Sequence, residues 1–152
     1  HKQVGHFDVT DNIKLAKVIH KNGFLFKEHN ADYLTKQDTD LRKQAGVDSL
    51  NIAPQLGVIH TNVLTTLGKE FENEFNTFKK YVLEKEVWKK WITSGVTDDE
   101  TKLLVSGHYF LNTIEARQLL GKLDIAHFKT ALKTEIFAVL DIYRKGLSNE
   151  HT

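Results

Sequence analysis

From Leu56 to Val82 the apolar side chains fall at steps of three and four: Leu56, Ile59, Val63, Leu67, Phe71, Phe75, Phe78 and Val82. Lys69, Glu72, Asn73, Asn76 and Lys79 fill much of the opposite side. On a helix this makes one continuous apolar stripe. At about 1.5 Å per residue it predicts a helix about 40 Å long, the full height of a small bundle.

The flanking segments supply partners for that stripe. Thr10 or Asp11 can cap a first segment whose stripe is Leu15, Ile19, Asn22, Phe26, His29 and Tyr33. Gly23 lies inside it and costs a helix about 1 kcal/mol relative to Ala. The pattern therefore reads as one long helix or as two meeting near Asn22 and Gly23. Residues 37–45 are strongly polar and continue the helix on an exposed face, with Gly46 as its stop. Val47 to Pro54 reads as a loop, and Pro54 opens the long helix. That helix can run on into the Trp88–Trp91 region before Ser94 and Gly95 end it.

Thr97-Asp98-Asp99-Glu100 has the form of a capping box. The helix it starts places Leu104, Gly107, His108, Leu111, Ile114, Glu115 and Gln118 on one face, and Gly121 stops it. Asp124 caps a last helix with Ile125, Phe128, Leu132, Ile136, Val139 and Ile142 facing inward, and Gly146 with the polar tail to Thr152 closes the chain. No alternating run longer than a few residues competes. The expectation is an all-α chain, an antiparallel bundle of four to five helices forming a single domain over residues 1–152.

Composition narrows the chemistry. The 152 residues suffice to bury a core without metals or disulfides, and 27% charged against 40% apolar is ordinary for a globular protein. A net charge of +1 removes the bulk electrostatic case for nucleic acid or anionic membrane as the main partner. The absence of Cys excludes disulfides, thiolate catalysis and Cys-ligated metals. There is no Met either, so the expectation is a processed product or a piece of something longer. No apolar run approaches the length of a membrane span.

Several polar residues fall at expected core positions. His20, His29, His60, His108, Glu115 and Glu135 lie on or beside the inner stripes. Buried ionisable groups are costly unless paired. One reading is a metal or haem site between helices, where imidazole and carboxylate suit zinc or non-haem iron. The spacing argues against it, since neither Glu-x-x-His pairs nor His-Glu-x-x-His occur. Hydrogen-bonded boundary residues are the simpler account. Gly-x-Ser-x-Gly and Gly-rich phosphate loops are also absent, which argues against an enzyme.

Two further sets stand out. Trp88 and Trp91, interleaved with Lys89 and Lys90, form a basic-aromatic patch that suits a partner surface if exposed. Phe71, Phe75, Phe78, Phe110 and Phe128 are bulky enough to line a ligand cavity if loosely packed, and are plain core if tightly packed.

Residues 104–145 contain Tyr109-Phe110-Leu111-Asn112, Glu115, Leu119-Leu120, Gly121, Leu123-Asp124 and Phe128 before a final apolar helix. This stretch resembles a helical hairpin of poorly characterised bacterial domains that are often tethered to a membrane by an N-terminal helix. The resemblance implies a bacterial origin and a soluble domain cut from a membrane-anchored protein, and no reaction; the expected location is extracytoplasmic. The functional expectation is a non-catalytic binding module, a sensor or protein-interaction domain meeting a protein partner or a small apolar ligand, with no cofactor. The alternative is a bundle that binds metal or haem through His and Glu.

Overall fold

The computed structural model describes residues 6–92, 95 and 98–148. The chain is predominantly helical, with seven α-helices and a two-stranded sheet among the described residues. It divides into two compact units: residues up to Gln55 together with those from Phe137 onward, and Leu56–Ile136.

In the first unit, α1 spans Val9–Lys21 and is capped by Asp8, whose carboxylate accepts from the Asp11 amide, one turn before the expected cap. It stops where Gly23 predicts. Gly23 takes φ +77°, the Gly23 amide donates to His20 O, and the Phe24 amide donates to Ile19 O. This is a Schellman ending, which needs a left-handed residue that Gly adopts without penalty. The stripe expected beyond it is therefore not helical, and His29 and Tyr33 lie in a loop.

That loop leads out of β1 (Lys27–Glu28), which pairs in parallel with β2 (Ser49–Leu50). Between them runs α2, Lys36–Gln44, a separate helix with its own capping box from Thr35 and Asp38. Gly46, at φ +84°, ends α2 by the same Schellman pairing, with Val47 donating to Arg42 O. The segment expected to be a loop before Pro54 thus contains a strand. Its two residues are too few for alternation to be visible.

Two small apolar clusters hold this unit: Ala16, Phe26 and Val47, and Ala31, Leu34 and Tyr143. Arg42, 2% exposed, is anchored beside them. Its Nη2 donates to Glu28 Oε1 (2.9 Å), its Nε lies 2.7 Å from Glu28 Oε2, and the guanidinium sits over the Phe7 ring.

The long helix expected over 56–82 is two helices. α3 spans Pro54–Gly68 and α4 spans Glu72–Glu84. The apolar stripe was read on the correct residues, since Val63, Phe78 and Val82 are buried in one cluster with Ile59, Leu67, Phe71 and Phe75 against it. The break comes at Gly68, which is packed so closely on Leu119 that a Cβ would lie 2.8 Å from its Cδ1. The Phe71 amide closes the turn by donating to Gly68 O.

Glu86, at φ +54°, ends the run past α4, and residues 87–90 form a 3-10 turn instead of a continuing helix. Asp98 caps α5 (Asp99–Ser106) by accepting from the Thr101 amide. The expected capping residue Thr97 and the stop at Ser94 lie outside the described residues. The helix expected to run to Gly121 is broken after Ser106 by a 3-10 turn over Gly107–Phe110, and resumes as α6, Ile114–Leu120. A Cβ on Gly107 would strike the Thr61 side chain. Asp124 caps α7 (Ile125–Leu147) as expected, accepting from Ala126 N and His127 N. Gly146 lies inside α7, one residue before its end.

Candidate functional site

In a strand–helix–strand unit with parallel strands, the loops that follow the two strands leave from the same, carboxyl end of the sheet, where α/β proteins bind ligands. Here those loops are residues 29–34, after β1, and 51–53, after β2, with Gln55 in the first turn of α3. They are interlocked. The Ala31 amide donates to Asn51 O, and the Tyr33 amide to Gln55 Oε1 at 2.7 Å. The buried Asp32 carboxylate accepts from Ala53 N and Gln55 N. It therefore caps α3 from another segment, where Pro54 has no amide to offer.

Tyr143, from the last turns of α7, closes the arrangement. Its hydroxyl lies 2.7 Å from Ala31 O and 3.1 Å from Gln55 Oε1, and the Leu34 amide donates to it. Burial and the neighbouring Asp32 charge push the Tyr33 phenol up to about 12, so it stays protonated at neutral pH. Asn30 and Tyr33 hold φ of +59° and +60°. Non-glycine residues rarely occupy this region, and side chains held there project in fixed directions. Around this frame His29 and Asn30 are exposed and Asn51 is half-buried. His29 Nδ1 faces Asn30 Oδ1 at 3.1 Å. The result is a small surface of imidazole and amide groups offering both donors and acceptors.

None of this was read from the sequence except His29, and for a different role. The strands themselves, Lys27-Glu28 and Ser49-Leu50, are two residues each and carry no alternation that a reading of the sequence could find.

The residues expected from the sequence fall as follows. His20 is exposed and sits 2.7 Å from Asp48 Oδ2, in the first unit with His29. His60 and His108 are half-buried in the second unit, His60 against the Phe128 ring and His108 against Tyr109. Burial lowers both imidazole pKa values, and the nearby His60 lowers that of His108 further. His108 Nδ1 is buried with no hydrogen-bond partner among the described residues. Glu115 is half-buried and Glu135 exposed. Among the described residues no three His, Asp or Glu side chains converge as metal ligands.

Phe78 and Phe128 are buried, and Phe71, Phe75 and Phe110 pack against the same cluster, so these rings fill the core of their unit. Trp88 and Trp91 are not equivalent. Trp88 is half-buried, its Nε1 donating to Leu83 O with Lys89 and Lys102 over its ring, whereas Trp91 is exposed. Lys89 pairs with Glu86, and Lys90 is exposed.

Two open grooves lie on the second unit, one lined by Asn73, Glu74, Thr77, Gln118 and Lys122, the other by Leu67, Glu70, Leu123, Asp124 and His127. The first is spanned by the Glu74–Lys122 ion pair, which holds the Glu74 carboxyl below its usual range. No helix among the described residues is long and apolar enough to cross a membrane. No protein-family model matches the chain, and no curated protein matches it.

Proposed function

We propose that the chain is a non-catalytic binding module that holds a small polar ligand at the carboxyl ends of β1 and β2, through His29, Asn30 and Asn51. The observation that carries this reading is the interlocked pair of strand-end loops, with two non-glycine residues at positive φ between them. Asn adopts this region readily, but for a bulky residue such as Tyr33 it costs roughly 1–3 kcal/mol and persists where surrounding contacts over-determine it, as at ligand clamps. Asp32 and Tyr143 are committed to backbone groups, which supports a binding role over acid–base catalysis. Amide and imidazole groups suit a molecule rich in hydroxyl or carbonyl oxygens. The filled aromatic core favours this over an apolar ligand between helices.

The test is a thermal-shift screen of small polyols, sugars and hydroxy acids, followed by NMR mapping of any hit. Asn30→Gly removes the side chain while tolerating φ +59°, and His29→Ala removes the ring. A hit whose binding falls at least about tenfold, about 1.4 kcal/mol, in both variants sustains the proposal. Hits that map elsewhere, or bind both variants unchanged, overturn it.

A further inference from the structure

Two glycine contacts clasp the 3-10 turn over Gly107–Phe110 onto α3, within the second unit. A Cβ on Gly57 would lie 2.7 Å from Cγ and Cδ2 of the His108 ring, so the ring takes the place of a side chain there. Gly107 in turn meets the side chain of Thr61, one turn further along α3. The turn itself is weakly built: it interrupts the path from α5 to α6, and no side chain caps it. A 3-10 stretch between helical segments often marks a hinge. Phe110 within it and Leu111 after it pack against the core cluster of the unit.

The chemistry of the clasp rests on His108. Its Nδ1 is buried with no hydrogen-bond partner among the described residues. A neutral imidazole can leave that nitrogen unprotonated, whereas an imidazolium must make it a donor, and a buried donor without an acceptor is costly. The surrounding groups do not offset the charge. From α3 the ring faces His60, which repels it when charged and is itself packed on the Phe128 ring of α7. From its own turn it faces the Tyr109 ring. From α4, Tyr81 meets the neighbouring Phe110 edge-on, and the charge over the Tyr81 ring is the Lys85 ammonium. On α5, Asp99 is occupied by Lys102. None of these brings a free carboxylate to the imidazole. Burial and His60 accordingly hold it below its ordinary value.

We infer that residues 107–110 form an acid-released latch. At neutral pH the uncharged His108 ring seats the turn on Gly57, and protonation of His108 and His60 in mild acid lifts the turn from α3 while the rest of the unit stays folded. Release uncovers the apolar surface of Phe110 and Leu111, so the second unit presents that surface only in acid. This goes beyond the ligand reading and does not depend on it, since the latch lies in the other unit.

Hydrogen exchange tests it, with rates corrected for the intrinsic effect of pH. The Gly107 and Thr113 amides, which donate to Leu103 O and Phe110 O, report opening of the turn, and the Phe78 amide reports unfolding of the core. From pH 7.5 to pH 5.5 protection at Gly107 and Thr113 should fall about threefold or more while staying below that of Phe78. Sub-denaturing urea should leave it unmoved, because a local opening exposes little surface. His108→Phe should remove the pH dependence, with His108→Gln as the substitute if that variant does not fold. Gly57→Ala, whose methyl displaces the ring, should lower the same protection already at pH 7.5. Protection that ignores pH, or that follows urea together with Phe78, overturns the latch; so does a pH response that survives in the folded His108 variant.

Discussion

Arg42 shows how a single side chain organises the first unit. Its stem and guanidinium are buried, and the two-pronged contact with Glu28 ties α2 to β1. Removing one member leaves the other charge buried without its counter-ion, so Arg42→Met should cost about 3–5 kcal/mol in urea unfolding. Adding Glu28→Leu to that variant should recover much of the loss. In the second unit, His60 and His108 are both held toward the neutral form, so the unfolded chain binds protons that the folded chain does not. Their contribution is fully present above the ordinary value of 6.5 and is lost progressively as pH falls from there through their lowered folded-state values. Urea midpoints measured from pH 8 down to pH 5 should fall, and His108→Phe should flatten that slope.

At the scale of elements, glycines decide where helices stop and how closely they pack. Gly23 and Gly46 occupy left-handed positions that end α1 and α2. Gly146 acts differently, lying within α7 with Thr39 of α2 against its backbone. Helix propensity alone gives Gly→Ala a gain of about 1 kcal/mol. Here the added methyl would overlap the Thr39 hydroxyl, so Gly146→Ala should instead destabilise by about 1–3 kcal/mol, read from the thermal midpoint. Thr39→Ser in the same background should restore little, because the clash is with the oxygen and Cβ that serine keeps. Gly68 and Gly107 are the same kind of contact in the second unit, and they account for the breaks that helical periodicity did not foretell.

For the whole molecule, the large exposed apolar residues ahead of β1 are separable from the stability of the fold. Leu25→Ser should change the unfolding free energy by no more than about 0.5 kcal/mol, since a side chain in water gains little by burial it does not have. The same change should lower the fluorescence of a bound hydrophobic dye, whereas Phe78→Ser should unfold the second unit. By itself the sequence determined the helical majority, the stops at Gly46 and Gly121 and the cap at Asp124, because propensity and capping act over a few neighbouring positions. The helix faces were read only in part, since Leu15, Ile114, Ile125 and Ile142, expected inward, are exposed. Only the tertiary structure decided that Leu56–Val82 breaks at Gly68 and that two residue pairs some twenty positions apart form parallel strands. It also decided that Asp32 and Tyr143 lock the strand-end loops. Those outcomes rest on contacts between distant segments, where a close approach of glycine to leucine or of a carboxylate to a remote helix terminus leaves no local pattern to read.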